Sequence, residues 1–437
     1  MTPVLAGLRV VDASRMIPGA VLARSLLALG AEVIKLEDPR GGDPMRAMPP
    51  LRAGIGVGFA TYYAGAHSVV ARLGTEAGNA ALRALVADAD VFVESFRPGT
   101  LARWGVGTAA LRELSPRLVT VSLPGFPTGV PGSDDVAHDL NAVARSGLLA
   151  RIGDGLDTPR VQIADVTTGL LAGQAVLAAL LRRGVTGVGM HVEQPLCAGA
   201  LPLVVWPWAD HQASGAIGAS DRLIGGRCAA YGVYRCGDGR RLAVGCLEPK
   251  FWRTLCELLG VPELVAAGLR DDAIGAEAIA RVAAILAGAP ARAWRDRCAD
   301  AGLPVDVVVD VDDSESPTPW LGPLSEHIPM PAGADLVARV LRGHRVLLGS
   351  RVVRTRRRDR DRDRVHDARA RPGPRCSGAH RRAVDDDTAT TTRSLGPGPH
   401  RRGRGGHRRG AVGLRSHAPR RDRGPRIAAR AGPGRAS

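Results

Sequence analysis

The chain has 437 residues, 45% of them hydrophobic, enough for two or three domains with a sizeable core; with aromatics at only 3%, Ala, Leu and Val must build that core. A net charge of +16 would point to a polyanionic partner if it were spread over the fold, but residues 351–437 alone hold 26 Arg and 8 Asp, so the remainder is close to neutral at about −2. Seven cysteines without a Cys-x-x-Cys pair suggest neither a disulfide framework nor a metal site, and no leader pattern or apolar run of membrane-spanning length is evident, which predicts a cytoplasmic chain without a resident metal.

In chain order, Leu8-Arg9-Val10-Val11-Asp12 reads as a strand, residues 21–29 as a helix ended by Gly30, and Glu32-Val33-Ile34-Lys35-Leu36-Glu37 as a second strand. This β-α-β unit has a right-handed crossover and parallel strands. Its first turn lacks Gly-x-Gly-x-x-Gly, which argues against a dinucleotide site despite Glu37. Helix at 76–89, strand at 91–96, short helix at 109–114 and strand at 118–123 continue the alternation, predicting an α/β fold with a mostly parallel sheet and ligands at the carboxyl ends of its strands. A Gly- and Pro-rich loop at 124–132 delivers His138-Asp139-Leu140-Asn141, and Asp165 precedes a long Ala/Leu-rich helix at 166–183, which it would cap. Residues 196–208, apolar but interrupted by proline, read as buried structure. A hairpin, Tyr231-Gly232-Val233-Tyr234-Arg235 and Arg240-Arg241-Leu242-Ala243-Val244 around Gly237-Asp238-Gly239, opens a smaller α+β region with helices near 251–259, 276–286 and 292–301 and a strand at 305–309. The expected domains are a Rossmann-like large domain with the active-site loop at 1–200, a small domain at 201–330, and an Arg/Gly/Pro-rich tail at 331–437 that is disordered.

One imidazole, His138, and one carboxylate, Asp165, each just ahead of an apolar segment, are the kind of pair that can pass a proton across one carbon. Glu248, before Pro249-Lys250-Phe251, is a third candidate and equally a plain helix cap.

These residues resemble the family III CoA-transferases of the CaiB/BaiF type, together with the related 2-methylacyl-CoA racemases. The resemblance rests on residues 5–12, on Gly30-Ala31-Glu32-Val33-Ile34-Lys35-Leu36-Glu37, on 87–99 ending in Phe96-Arg97-Pro98-Gly99, on His138-Asp139-Leu140-Asn141 and on Glu248-Pro249-Lys250-Phe251, in that order, over residues 5–312. It implies an acyl-CoA thioester as substrate, no cofactor, and an interlocked homodimer. It also implies that Asp165 is a nucleophile in CoA transfer or, in the racemase branch, exchanges an α-proton with His138, which Glu248 holds. His at 138 favours racemisation of a 2-methylacyl-CoA, with CoA transfer between carboxylic acids as the alternative. Arg40, Arg97 and Asp139 are the expected contacts to CoA, and the helix following Asp165 would offer backbone donors to an enolate oxygen. The chain departs from the family at 63–68, where Tyr63-Ala64-Gly65-Ala66-His67-Ser68 replaces a basic element, at Ala142, where an aromatic is usual, and after about residue 330.

The end of the tail, with 26 Arg and no Lys, Phe, Trp or Tyr in residues 351–437, fits translation in a shifted frame of a GC-rich gene, a solvated extension, or a basic arm that neutralises nucleic-acid phosphates without aromatic stacking. Two readings of another class follow from it: an inactive pseudoenzyme, and a nucleic-acid-binding protein built on an enzyme fold.

Overall fold

The computed structural model describes residues 3–152, 158–215, 223–311, 313 and the pair 331–332. The expected tail therefore lies outside the described residues, apart from that pair.

Six parallel strands form the main sheet: β1 (Arg9–Asp12), β2 (Glu32–Glu37), β5 (His67–Val70), β6 (Val91–Glu94), β7 (Val119–Ser122) and β8 (His191–Glu193). A two-residue strand, β12 (Pro331–Ala332), adds to the β5 edge and gives the order β12-β5-β2-β1-β6-β7-β8. A small antiparallel ribbon, β3 (Leu51–Arg52) with β4 (Ile55–Gly56), stands apart from it. The central strands are apolar on both faces, as a sheet covered by crossover helices requires. Val10, Val33, Val91 and Val119 face α1 (Met16–Ala28) and α7 (Ile163–Thr186), whereas Val11, Ile34 and Phe92 face α3 (Glu76–Ala87) and α5 (Thr108–Leu114). Both α/β class and parallel pairing are as expected, and β2 has the expected bounds. The short strands β5 and β8 were not anticipated.

α7 is longer than expected, because it begins three residues earlier and runs to Thr186 before Gly187 turns the chain at φ 75°. By length and composition it is apolar enough to cross a membrane, with a stretch of mean hydropathy 1.5, which corrects the expectation that no such run exists. Ala172, Val176 and Ala179 of this helix pack into the core beneath the sheet, and Gly169 brings it against α1.

The remaining helices of this region are α2 (Val57–Tyr62), α4 (Thr100–Arg103), α6 (Asp139–Arg145), α8 (Leu196–Ala200) and α9 (Val205–Ser214). The run at 196–208 is not uniformly buried as expected: Leu196 and Ala200 are covered, but Leu201, Leu203, Val205, Trp206 and Trp208 are exposed, Trp208 by 62%. The first part packs against α7; beyond Ala200, Val204 still touches the cluster at the start of α7, but most of the apolar side chains face outward.

A separate antiparallel sheet, β9 (Tyr231–Arg235), β10 (Arg241–Gly245) and β11 (Val305–Val307), is covered by α10 (Pro249–Leu259), α11 (Ala273–Leu286) and α12 (Ala291–Asp300). Its core is its own, built on Trp252, Trp294 and Cys236, Cys246, Cys256 and Cys298, all free thiols. Each indole donates to a backbone carbonyl, Trp252 to Leu264 and Trp294 to Leu286, so neither ring leaves a buried N–H unpaired.

Candidate active site

Two polar assemblies sit at the carboxyl ends of the parallel strands, where crossover connections leave a crevice. The first is built on Lys35, a cation within an apolar strand and only 1% exposed. A buried ammonium must find partners. Here its Nζ lies 3.1 Å from Asp43 Oδ2 and 3.4 Å from Asp12 Oδ2, donates to the Ser14 carbonyl at 2.6 Å, and sits over the Tyr63 ring. The Tyr63 hydroxyl donates to Asp12 Oδ2 at 2.8 Å, and Ser14 donates to Asp12 Oδ1 through both its N–H and its hydroxyl. Burial works to lower the Lys35 pKa, but Asp12, Asp43 and Glu37 outweigh it and hold the group above its usual value. Glu37 is treated alike: burial would raise it, yet the Arg46 guanidinium, bonded to both carboxylate oxygens at 2.7 Å, Ser68 and the Asp43 N–H hold it below the usual range. Tyr63 and Ser68, which stand where a basic element was expected, are thus members of this network, while the adjacent His67 faces Glu32.

This network fixes the loop after β1. Met16 takes a left-handed φ of 66°, strained for a side chain of its size, with its N–H directed at Asp43 Oδ2, 3.3 Å away. Arg15 N–H donates to Ser95 Oγ, and its guanidinium lies over Phe96. A small cleft of about 70 Å³ results, with Arg15 and Arg40 as exposed cations and Phe96 and Trp104 as an edge-to-face aromatic wall. Arg40 is paired bidentately with Asp38 at 2.9 Å. Arg97 is not in this cleft; it is exposed and lines a neighbouring one of about 200 Å³ together with Glu94, Ser122, Thr128, His191 and Glu193.

The second assembly joins α6 to α7. Asp165 is not the cap of α7 as expected; Gln162 is, and Asp165 is the third helical residue, 7% exposed. The helix starts early because Ile163 and Ala164 pack with Ala142, Val143 and Leu196 into a small apolar cluster that carries the first turn inward. The expected donors beyond Asp165 are therefore spent within the helix, where Val166 N–H bonds the Gln162 carbonyl. The Asp165 N–H instead donates to Asp139 Oδ1 at 3.0 Å, across 26 residues. Among the described residues the Asp165 carboxylate makes no hydrogen bond or ion pair. Burial first, and then the like charge of Asp139, push its pKa up to about 7. Tyr62 at the end of α2 also faces it, and burial followed by the Asp165 charge raises that phenol.

His138 precedes α6 as its exposed N-cap, with its N–H donating to Asn141 Oδ1 at 3.1 Å. Arg145 at the far end of α6 stacks over Phe126 and bonds Asp135, tying the Gly/Pro loop to the helix. The structure thus brings Asp139 and Asp165 together with His138 next in chain. Glu248 is an exposed N-cap of α10 in the other sheet's region and, among the described residues, has no hydrogen bond or ion pair with His138 or Asp165. No cluster of three or more His, Cys, Asp or Glu arranged to hold a metal occurs among the described residues.

Lys35 could have been singled out from sequence as a cation in an apolar strand; Tyr62 carried no such signal, because only the folded α2 places it near Asp165.

Comparison with known proteins adds an independent line. The model of CoA-transferase family III matches residues 5–320. The succinate–glutarate CoA-transferase of Agrobacterium fabrum is 36% identical over 204 residues, covering 44% of this chain and 51% of the relative. The beta subunit of succinyl-CoA–L-malate CoA-transferase from Chloroflexus aurantiacus is 30% identical, covering 61% of this chain and 68% of its own. The chain thus spans about half the length of the first of these relatives. Among solved structures, Rv3272 of Mycobacterium tuberculosis matches with a TM-score of 0.63 at 28% identity, covering 72% of this chain and 88% of that one. A CAIB/BAIF family protein from Brucella suis matches with a TM-score of 0.62 at 27% identity, covering 70% and 84%.

Proposed function

Starting from the fact that this chain belongs to CoA-transferase family III, we propose that it transfers CoA between carboxylic acids, with Asp165 as the nucleophile. The observation that carries this reading is the state of Asp165: buried, free of cationic partners among the described residues, and poised near neutrality. In the proposed cycle the Asp165 carboxylate attacks the thioester carbonyl and expels CoA thiolate, leaving a mixed anhydride. The thiolate then attacks the Asp165 carbonyl, releasing the first acid and leaving an aspartyl-CoA thioester. An acceptor carboxylate reverses the two steps and restores Asp165. No resident metal or redox group is needed, since CoA enters as part of the substrate. We assign the phosphates of CoA to the rim of the cleft beside Lys35, where Arg15 and Arg40 are exposed; at about 70 Å³ the cleft itself is too small to enclose the nucleotide.

A second reading is α-proton exchange on a 2-methylacyl-CoA between His138 and Asp165. It is favoured by the position of His138, one residue from the Asp139 that holds the Asp165 backbone. The relatives named above carry transferase names, which supports transfer as the first reading. In either reading we propose a homodimer, because Leu201, Val205, Trp206 and Trp208 are large apolar side chains left exposed close together in the chain, more than a lone soluble surface usually carries.

The test uses the purified full-length chain with succinyl-CoA and glutarate, with glutaryl-CoA followed by mass spectrometry, and borohydride trapping of the aspartyl thioester. Asp165→Ala is expected to remove at least about 10³-fold of the rate. Undiminished transfer in that variant sinks the proposal. Deuterium entering the α-position of a 2-methylacyl-CoA in deuterated buffer, lost in His138→Ala, would replace it with the second reading.

A further inference from the structure

We infer that Asp139 is a positioning residue that acts through Asp165: its carboxylate clamps the first turn of α7 and keeps a negative charge beside the reacting group, instead of touching CoA. This rests on the reading of Asp165 given above and goes beyond it.

Three observations carry the inference. The bond from Asp165 N–H to Asp139 Oδ1, at 3.0 Å, joins two helices whose partners are 26 residues apart, so it is a tertiary lock. It is made at the third residue of α7, whose N–H has no carbonyl partner of its own within the helix. An acceptor there fixes the direction in which the Asp165 side chain leaves the backbone. Finally, Asp139 is the first residue of α6, directly after His138, so the same carboxylate ties both proposed reacting residues to one junction.

The remaining surroundings leave Asp139 as the charge that matters. Tyr62 of α2 faces Asp165 as a neutral phenol whose own ionisation is suppressed. α1 meets α7 near Gly169 through Pro18 and Val21, neither of them ionisable. On α8, Cys197 has its thiol raised by burial and faces Arg145. On β8, His191 pairs with Thr120 and Glu193 with Thr128. A neutral Asp165 avoids the cost of a buried charge and relieves repulsion with Asp139, so its ionised form, needed for attack, is more basic than a solvated carboxylate. The clamp thus couples geometry to reactivity in one side chain.

The experiment follows the Asp165 carboxyl by carbon NMR of the full-length chain labelled at aspartate, without substrate, with Asp165→Asn for assignment. The wild-type midpoint is expected near the value of about 7. Asp139→Asn keeps an oxygen for the N–H bond and removes the charge; its midpoint pH is expected to fall, to a proton concentration about tenfold higher. The acid limb of the pH–rate profile should fall with it, and Asp139→Glu should restore both. A midpoint that stays in place in Asp139→Asn overturns the inference, as does a raised KM for acyl-CoA with unchanged titration, which would make Asp139 a CoA contact. Should Asp139→Asn fail to fold, the wild-type chain still decides: the Asp139 resonance must inflect at the Asp165 midpoint, and its failure to do so overturns the clamp. Because the titration is read without turnover, an inactive enzyme would leave it legible, and a failed titration would leave the family III reading standing.

Discussion

Glu37 and Asp165 are both buried carboxylates at the same end of one sheet, yet the protein treats them in opposite ways. Glu37 is saturated by Arg46, Ser68 and a backbone N–H and is held below its usual pKa; Asp165 faces another carboxylate and a phenol and is raised to about 7. Burial acts in the same direction on both, so the partners decide the outcome. The contrast separates a scaffold group from a site candidate: Glu37 is given a cation that fixes its charge, and Asp165, the nucleophile proposed above, has no cation beside it among the described residues. The Lys35 network is the scaffold's extreme case, because one buried ammonium pairs with both Asp12 and Asp43.

The sharpest way to break this contrast is to remove the cation from the scaffold. Lys35→Met leaves Asp12 and Asp43 buried opposite an apolar chain, and breaking a buried ion pair in this way costs about 3–5 kcal/mol. The variant is expected to lose most of its folding stability, read as a large drop in Tm or as insoluble protein. A Lys35→Met chain that melts with the wild type would show that the network is ornamental.

The opposite prediction holds at Asp165. Its folded pKa is raised above the unfolded value, so its contribution to stability is fully present below about pH 4 and is lost as pH rises through about 7. Asp165→Asn should therefore melt with the wild type at pH 4 and higher than it at pH 8, by about 2–4 kcal/mol at most, since a tenfold difference in proton affinity between the folded and unfolded chain is worth about 1.4 kcal/mol. The Arg46–Glu37 pair runs the other way: with the folded pKa lowered, its stability is present above the unfolded value and is lost as pH falls. Arg46→Gln should therefore flatten the acid side of the wild-type stability profile.

How much of this was legible follows from what each feature depends on. β2, with apolar residues on both faces, and β9, half of the hairpin, were readable to the residue, because local pattern and fold agree there. β5 and β8 were not, because four and three residues with a histidine in each carry no periodicity. The family motifs placed Asp165 beside a helix start but could not place it inside one; that shift of three residues comes from Ile163 and Ala164 packing on Ala142 and Leu196, a contact between distant segments. The clamp from Asp139 is likewise tertiary, as is the position of Tyr62. The exposed Trp206 and Trp208 were misjudged because hydropathy reports what a residue prefers and is silent on whether the rest of the chain supplies the cover.

The contrast between a sealed scaffold and a tuned site also depends on α7 being held at a fixed height against α1, and two glycines separate that packing from helix propensity. A Cβ at Gly169 would lie 2.6 Å from both the Pro18 carbonyl and the Val21 side chain, so Gly169→Ala must push the helices apart, at about 1–3 kcal/mol. One turn on, a Cβ at Gly173 would meet the Leu22 side chain at 3.7 Å, an ordinary contact. Gly173→Ala should be neutral or stabilising by up to about 1 kcal/mol, the propensity gain of Ala in a helix interior. Denaturant melts of the two variants decide the matter, and the transfer rate adds the link to function. Because Gly169 lies one turn beyond Asp165 on the same helix, its substitution should also slow turnover, whereas Gly173→Ala should leave it unchanged. Equal melts for the two would mean that α7 finds its height elsewhere, with the clamp at Asp139 as the remaining determinant.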